Sequence, residues 1–454
     1  MLKFKIPKTS NDIEDLCITY GIVALLEHVD AEIEIIKDSL NHYLIECEDF
    51  NLEKVNQKDF KLTLDDMKST TPLLNKKNIE NNIQAIYKLI KERGSDILNY
   101  YLTEDKSYIK GLNNDSVGFC GNVFFMTGLR LNATVSSFKT PKHQKYLSLI
   151  GWSKYVSKLQ IIKKNSKIND KNTEHFIYLI PKIKEVEQID KIVLWSKDRE
   201  TGLNKELNFI SDESVNTALA KVLLSNIEHE ITSDGYDGFY SVVLIPSNQK
   251  TIPNTFKTIN FLDELLSNNL IEWFNLKLYN IDIREYAAKF ILDMNNYSKL
   301  SNFIKIMSKK DYYEKNGEVK MGYIPQNIIK ELLSMQNDKV IEIYNNKSVK
   351  ILGRGLNRLL KDNKGYEVQV SILNTNNLEQ LMKGITKLCT LYRRYYSEEN
   401  KIKSIINDEQ IDKIFKLIDN NKDAKVVADA ILFNSKIFLA ENNTDNKVKD
   451  EVNS

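Results

Sequence analysis

Near residue 259 the hydrophobic pattern of this chain changes its period, and that change divides what the chain can become. Upstream, short β-branched runs alternate with helical spacings. Downstream the strand signal fades, and apolar residues recur three and four apart. Before the change, Ile13, Leu16, Cys17, Tyr20, Val23, Ala24 and Leu26 fall at helical spacing over residues 13–29. Ile33–Ile36 and Tyr43–Cys47 read as two short strands, and residues 78–103 as helix, with Ile79, Ile83, Ile86, Leu89 and Ile90 on one face. Strands dominate from 172 to 245, through Phe176–Ile180, Ile192–Trp195 and Phe239–Ile245, with a helix at Val215–Ile227 between them. After the change, Phe261–Phe274 and Ala287–Met307 read as helices, and residues 324–439 hold five amphipathic stretches separated by Asn, Asp and Gly. The expected fold is an α+β N-terminal domain with mixed strands and helices over 1–310. It is followed across the polar segment Ser308–Gly322 by an all-α C-terminal helical bundle over 321–440 and a flexible tail over 441–454. A chain of 454 residues with 42% hydrophobic content is too long for one ordinary core and apolar enough to fill two.

Charge is unevenly spread along this frame. The whole chain carries a formal +2, yet no Asp or Glu occurs between Ser116 and Asn169. That window holds Arg130, Lys139, Lys142, Lys145, Lys154, Lys158, Lys163, Lys164 and Lys167, a charge of +9, so everything outside it sums to −7. Phe138, Tyr146, Trp152 and Tyr155 are interleaved. Lysines neutralise phosphates and release counterions, and exposed aromatics stack on unpaired bases, so the pattern points to nucleic acid. The competing explanation is a solvated lysine face with the aromatics in the core. Directly upstream, Gly111–Gly128 is rich in glycine and asparagine and reads as a structured loop. Asn113, Asn114 and Asn122 are side chains able to read base edges. The loop lacks the Gly-Lys-Ser/Thr ending of a phosphate loop.

Two later helices carry basic stripes. Over Ser348–Lys361 the residues Leu352, Leu356, Leu359 and Leu360 form an apolar face, while Lys350, Arg354, Arg358 and Lys361 form another stripe. Over Leu378–Tyr396, Leu381, Ile385, Leu388 and Tyr392 point inward, and Lys383, Lys387 and Arg394 line an outer face. Such stripes suit a phosphate backbone, and equally suit ordinary exposed helix faces.

Little points to catalysis or to a cofactor. Cys17, Cys47, Cys120 and Cys389 are too dispersed for a metal knuckle or a disulfide framework, and read as reduced cytosolic thiols. His28, His42, His143, His175 and His229 have no metal-ligand spacing. There is no nucleophile elbow, Walker motif or helicase signature. No apolar run reaches membrane-spanning length, and the first ten residues lack the apolar stretch of a secretory signal, so a cytoplasmic location is expected.

Tyr20–Glu27, with the sequence YGIVALLE, resembles the opening helix of the large subunits of type I CRISPR effector complexes (Cascade), especially the I-B and I-A groups. The phrases at Ile343–Tyr344 and Ile351–Leu356 are similar to the start of their C-terminal helical part. Several members of that family carry paired cysteines for zinc, and this chain has no such pair, which leaves the subtype open. The resemblance implies a non-catalytic subunit. Its partners would be crRNA, target double-stranded DNA with its displaced strand, the other Cascade subunits and a recruited helicase–nuclease. It further implies contact with the crRNA 5′ handle and with the motif flanking the target (PAM). It also implies that the helical part is made separately from an internal start, for which Met321, just past Gly317 and Glu318, is the expected codon. Two other classes stay open: a nuclease or other enzyme of a different defence system, and a protein-interaction scaffold.

Overall fold

A computed structural model of the chain describes residues 1–9, 12–63, 66, 76–115, 140–168, 171–187, 214–223, 235–246, 251–260, 281–293, 296–308, 333, 336–397 and 404–435. The chain divides into two compact units. One is Met1–Val215 with Val222–Asp263, and the other is Asn216–Lys221 with Glu264–Ser454. Mixed strands and helices make up the first, and helices make up the described part of the second.

In the first unit, strands β1 (Leu2–Pro7), β2 (Ile33–Asp38) and β3 (His42–Cys47) pair antiparallel with β3 in the middle, and a two-residue strand, Glu185–Val186, adds to β2. The second sheet is built from β6 (Gln160–Ile168), β7 (Lys171–Ile183), β9 (Tyr236–Pro246) and β10 (Thr251–Asn260). It is antiparallel throughout, with β7 and β9 central and β6 and β10 at the edges. A two-residue ribbon pairs β4 (Asn114–Asp115) with β5 (Thr140–Pro141).

Helix α1 (Asp12–His28) is the core of this unit. Every residue from Ile13 to Leu26 is buried, the pattern of a helix covered on all sides. Two of its buried polar side chains find partners. Asp15 accepts from the Thr9 amide at 2.6 Å, and the Tyr20 hydroxyl donates to the Pro181 carbonyl at 2.7 Å. Helix α3 (Lys76–Thr103) and helix α4 (Lys142–Lys154) complete the helical part, with a short α2 (Lys54–Gln57). α1 and α4 cross at backbone contact. A Cβ on Gly21 would lie 2.2 Å from the Leu147 carbonyl oxygen, and one on Gly151 would lie 2.0 Å from that of Cys17. No side chain fits at either position.

Two buried titratable groups flank this crossing. Burial pushes the Asp15 carboxyl up from 3.8 to about 6, and the His143 imidazole down from 6.5 to about 4. His143 is 1% exposed and packs edge-on against Tyr100 and Tyr101. Asp15 costs stability as pH rises from 3.8 to about 6, because the unfolded chain ionises first. His143 costs stability as pH falls from 6.5 to about 4, because the unfolded chain takes up the proton first. Each swing is about 3 kcal/mol, of opposite sign over the same window, so the two largely cancel. Asp15→Asn is therefore expected to leave His143 uncompensated. Relative to wild type, urea melts of the variant lose about 3 kcal/mol between pH 6.5 and pH 4. Superimposable pH profiles would refute this.

Helix α5 (Val215–Leu223), within the expected helix Val215–Ile227, gives Asn216–Lys221 to the second unit, which continues with α6 (Ile281–Ile291) and α7 (Tyr297–Ser308), whose Phe290 and Phe303 rings stack at 6.3 Å. It continues with α8 (Asp338–Asn345), α9 (Lys347–Lys361), α10 (Tyr366–Leu373), α11 (Leu378–Tyr396), α12 (Asp408–Phe415) and a helix over 421–435, here α13. Asparagines set the starts. Asn337, Asn346, Asn377 and Asn407 are N-caps, each accepting from backbone amides of the first turn. Asn346 also ends α8. α7 is tied to α13 by the Tyr297 hydroxyl, which donates to the buried Asp429 at 2.9 Å. The helices at 281–308 thus pack with the C-terminal helices. The expected linker and Met321 fall within 309–332, outside the described residues, as do Ile192–Trp195, Phe261–Phe274 and the tail.

Candidate nucleic-acid interface

The described part of the acid-free window forms a two-residue strand, α4, the 3₁₀ turn Val156–Leu159 and β6. Lys142 and Lys145 are half-buried at the start of α4, 5.9 and 5.6 Å from the Tyr146 ring centre. Lys154 lies 3.5 Å from the Asp66 carboxylate, so an acid far away in sequence reaches the window in space. Lys158 lies in the 3₁₀ turn. Lys163, Lys164 and Lys167 lie on β6, an edge strand whose register shifts between Lys163 and Ser166. Lysines and a bulge on an edge strand discourage pairing with another chain, which is a structural reason for this part of the charge. Asn113 and Asn114 are exposed where the glycine-rich segment begins, and Asn114 pairs with Pro141. Asn122, Arg130 and Lys139 lie outside the described residues.

One expectation is overturned here. Tyr146, Trp152 and Tyr155 are not surfaces for stacking on bases, being 7%, 0% and 2% exposed. The cause is the α1–α4 crossing. Gly151 brings the two backbones together and turns the aromatic face of α4 inward, where Trp152 meets Tyr178 at 4.9 Å and the Tyr155 hydroxyl donates to Glu27 at 2.6 Å. Phe138 lies outside the described residues.

The helical unit presents a better-formed surface. α9 contains no acid and five cations. Leu352, Leu356 and Leu359 are fully buried, Leu360 is half-buried, and Arg354, Arg358 and Lys361 are exposed on the opposite side. Lys350 is half-buried, with its ammonium donating to Asn345 at 3.2 Å. Arg358 and Lys361 sit in the last turn, where cations complement the helix dipole. Lys347 and Lys350 sit at the opposite end, where the dipole disfavours them. The intrinsic stability of α9 therefore does not explain its full set of cations. Lys347 was not singled out because the expected stretch began at Ser348, although it lies three residues before Lys350 on the same stripe.

α11 behaves differently along its length. Lys383 is paired with Glu379 at 2.6 Å and Lys387 with Glu367 at 2.9 Å, so two of the three cations of the expected outer stripe are paired. Arg394 is exposed. The C-terminal ends of α9 and α11 meet. The Arg358 guanidinium lies 4.2 Å over the Tyr396 ring and donates to the Tyr392 hydroxyl at 3.2 Å, so Tyr392 joins the cations at the surface rather than filling the interior. The Tyr396 hydroxyl donates to Asp362, and Lys364 lies 4.4 Å over Tyr395. Of the expected residues, the structure places Arg358 against Tyr392 and Tyr396, while Lys383 and Lys387 spend their charge on neighbouring carboxylates.

Among the described residues, no three His, Cys, Asp or Glu side chains are grouped to hold a metal ion, and no helix is long and apolar enough to cross a membrane. The chain matches no protein-family model and no curated protein sequence.

Proposed function

We propose that this chain is a non-catalytic, nucleic-acid-binding large subunit of an RNA-guided complex of the type I CRISPR Cascade class. In this reading the strand-bearing part contacts the crRNA 5′ handle and the target-flanking motif, and the helices of residues 338–435, as a bundle, contact the displaced DNA strand. The observation that carries the reading is α9. It is a helix of fifteen residues without one carboxylate, apolar on its buried side and cationic on its exposed side. At 1.5 Å per residue it offers roughly 22 Å of continuous positive surface, enough to follow several phosphates. The short phrases shared with Cascade large subunits supply the particular complex. The test is purification of the tagged chain from its native host, with sequencing of any bound RNA. Stoichiometric crRNA together with other effector subunits is expected. Recovery of the chain without RNA, or with unrelated proteins only, contradicts the reading.

A further inference from the structure

Where the last turn of α9, the first turn of α10 and the last turn of α11 converge, four tyrosines lie with the cations Arg358, Lys361 and Lys364. Tyr366 and Tyr395 are 53% and 43% exposed, among the most exposed large side chains of the described residues. Tyr392 and Tyr396 are partly exposed beneath Arg358. Arg358 and Lys364 lie over the Tyr396 and Tyr395 rings, and Lys361 is exposed in the last turn of α9. Among the described residues the carboxylates there, Asp362 and Glu367, are both engaged, the first by the Tyr396 hydroxyl and the second by Lys387. Burial does not explain the two outer tyrosines, since leaving such rings in water forgoes the stabilisation that a core position would give.

We infer that this end of the helical unit is a site selective for unpaired nucleic acid, in which Tyr366 and Tyr395 stack on bases while Lys361 and Lys364 hold the adjoining phosphates. The inference rests on the reading that α9 contacts nucleic acid, and adds which residues distinguish an unpaired strand from a duplex. A single strand presents a base face and a phosphate in turn along its length, and this surface presents rings and cations side by side. A duplex buries its base faces in the stack, so it meets only the cations. An acidic peptide would also be drawn by the charge. Competition by such a peptide is therefore an arm of the test.

The experiment measures fluorescence anisotropy of the full chain with labelled oligo-dT, oligo-U and a DNA duplex of equal length. Replacing Tyr366 and Tyr395 together by alanine is expected to weaken single-strand binding by about tenfold per ring, and to change duplex binding by less than about twofold. Replacing both by phenylalanine preserves binding, because the ring and not the hydroxyl stacks. A larger loss on oligo-dT than on oligo-U identifies a DNA strand as the occupant, and the reverse an RNA strand. Unchanged single-strand binding in the alanine pair, equal losses on duplex and single strand, or equal competition by an acidic peptide overturns the inference. If wild type binds duplex and single strand alike and the alanine pair does the same, only the tyrosine site fails. If wild type binds neither, the reading of α9 fails and this site with it.

Discussion

Gly151→Ala is expected to destabilise the first unit by about 3 kcal/mol or more, at the upper end of overpacking penalties. The methyl group would lie 2.0 Å from the Cys17 carbonyl oxygen and 2.8 Å from the Gly21 nitrogen, and both are backbone atoms that no rotamer change can move. Only a separation of α1 from α4 relieves the clash. That separation would pull Trp152 from Tyr178 and strain the Tyr20 bond to the Pro181 carbonyl. For a unit of this size the penalty corresponds to roughly 6–12 °C in the melting temperature. Gly21→Ala acts on the same crossing, 2.2 Å from the Leu147 carbonyl oxygen, and is expected to cost a similar amount. The double variant is expected to cost less than the sum, since one separation of the helices accommodates both methyl groups. Calorimetry of the three variants checks this. Wild-type melting of either single variant would show that the two helices do not touch there.

The second large effect concerns binding. Arg354→Glu with Lys361→Glu reverses two exposed charges of α9 without touching its buried leucines or the Arg358 brace on Tyr392 and Tyr396. Affinity of the full chain for a labelled oligonucleotide is expected to fall on the order of a hundredfold at moderate salt, with an unchanged circular dichroism spectrum. Lys383→Ala is the comparison. Its ammonium is already committed to Glu379 at 2.6 Å, so its loss is expected to change affinity by less than about threefold. Equal effects from the two changes would mean that α9 is an ordinary solvated helix.

The sequence made the central elements readable and the edges obscure. α1, β2, β3, α3, β7 and β9 coincide with their expected spans because each buries a regular apolar pattern. β6 and β10 escaped notice because both are edge strands. An edge needs partners on one side only, so β6 accommodates Lys163, Lys164 and Lys167, and β10 accommodates Pro253 beside a register shift. The apolar run from Ala287 to Met307 looked like one helix, whereas α6 ends at Ile291 and α7 starts at Tyr297, with the Asn296 side chain accepting from the Ser298 amide at the new start. Asparagine reads in the sequence only as a separator of amphipathic stretches, yet four asparagines set helix starts in the second unit.

The candidate sites were legible to a different degree. The stripe of α9 followed from spacing alone, because burying Leu352, Leu356 and Leu359 fixes where the cations point. The aromatics of the acid-free window were misjudged because their burial depends on Gly151 meeting α1, a contact between segments more than a hundred residues apart. The neutralisation of Lys154 by Asp66 and of Lys387 by Glu367 depends likewise on folding. The tyrosine-rich end needed the structure, since only there do Arg358, Lys364, Tyr366 and Tyr395 come together.

The central claim is that cations of this chain bind the phosphate backbone. The salt dependence of affinity tests it most directly. For wild type, log K against log salt concentration is expected to fall linearly with a slope of about −3 or steeper, and the Arg354→Glu, Lys361→Glu variant is expected to flatten that slope by about two. A slope near zero, or the same slope in both proteins, would contradict the account.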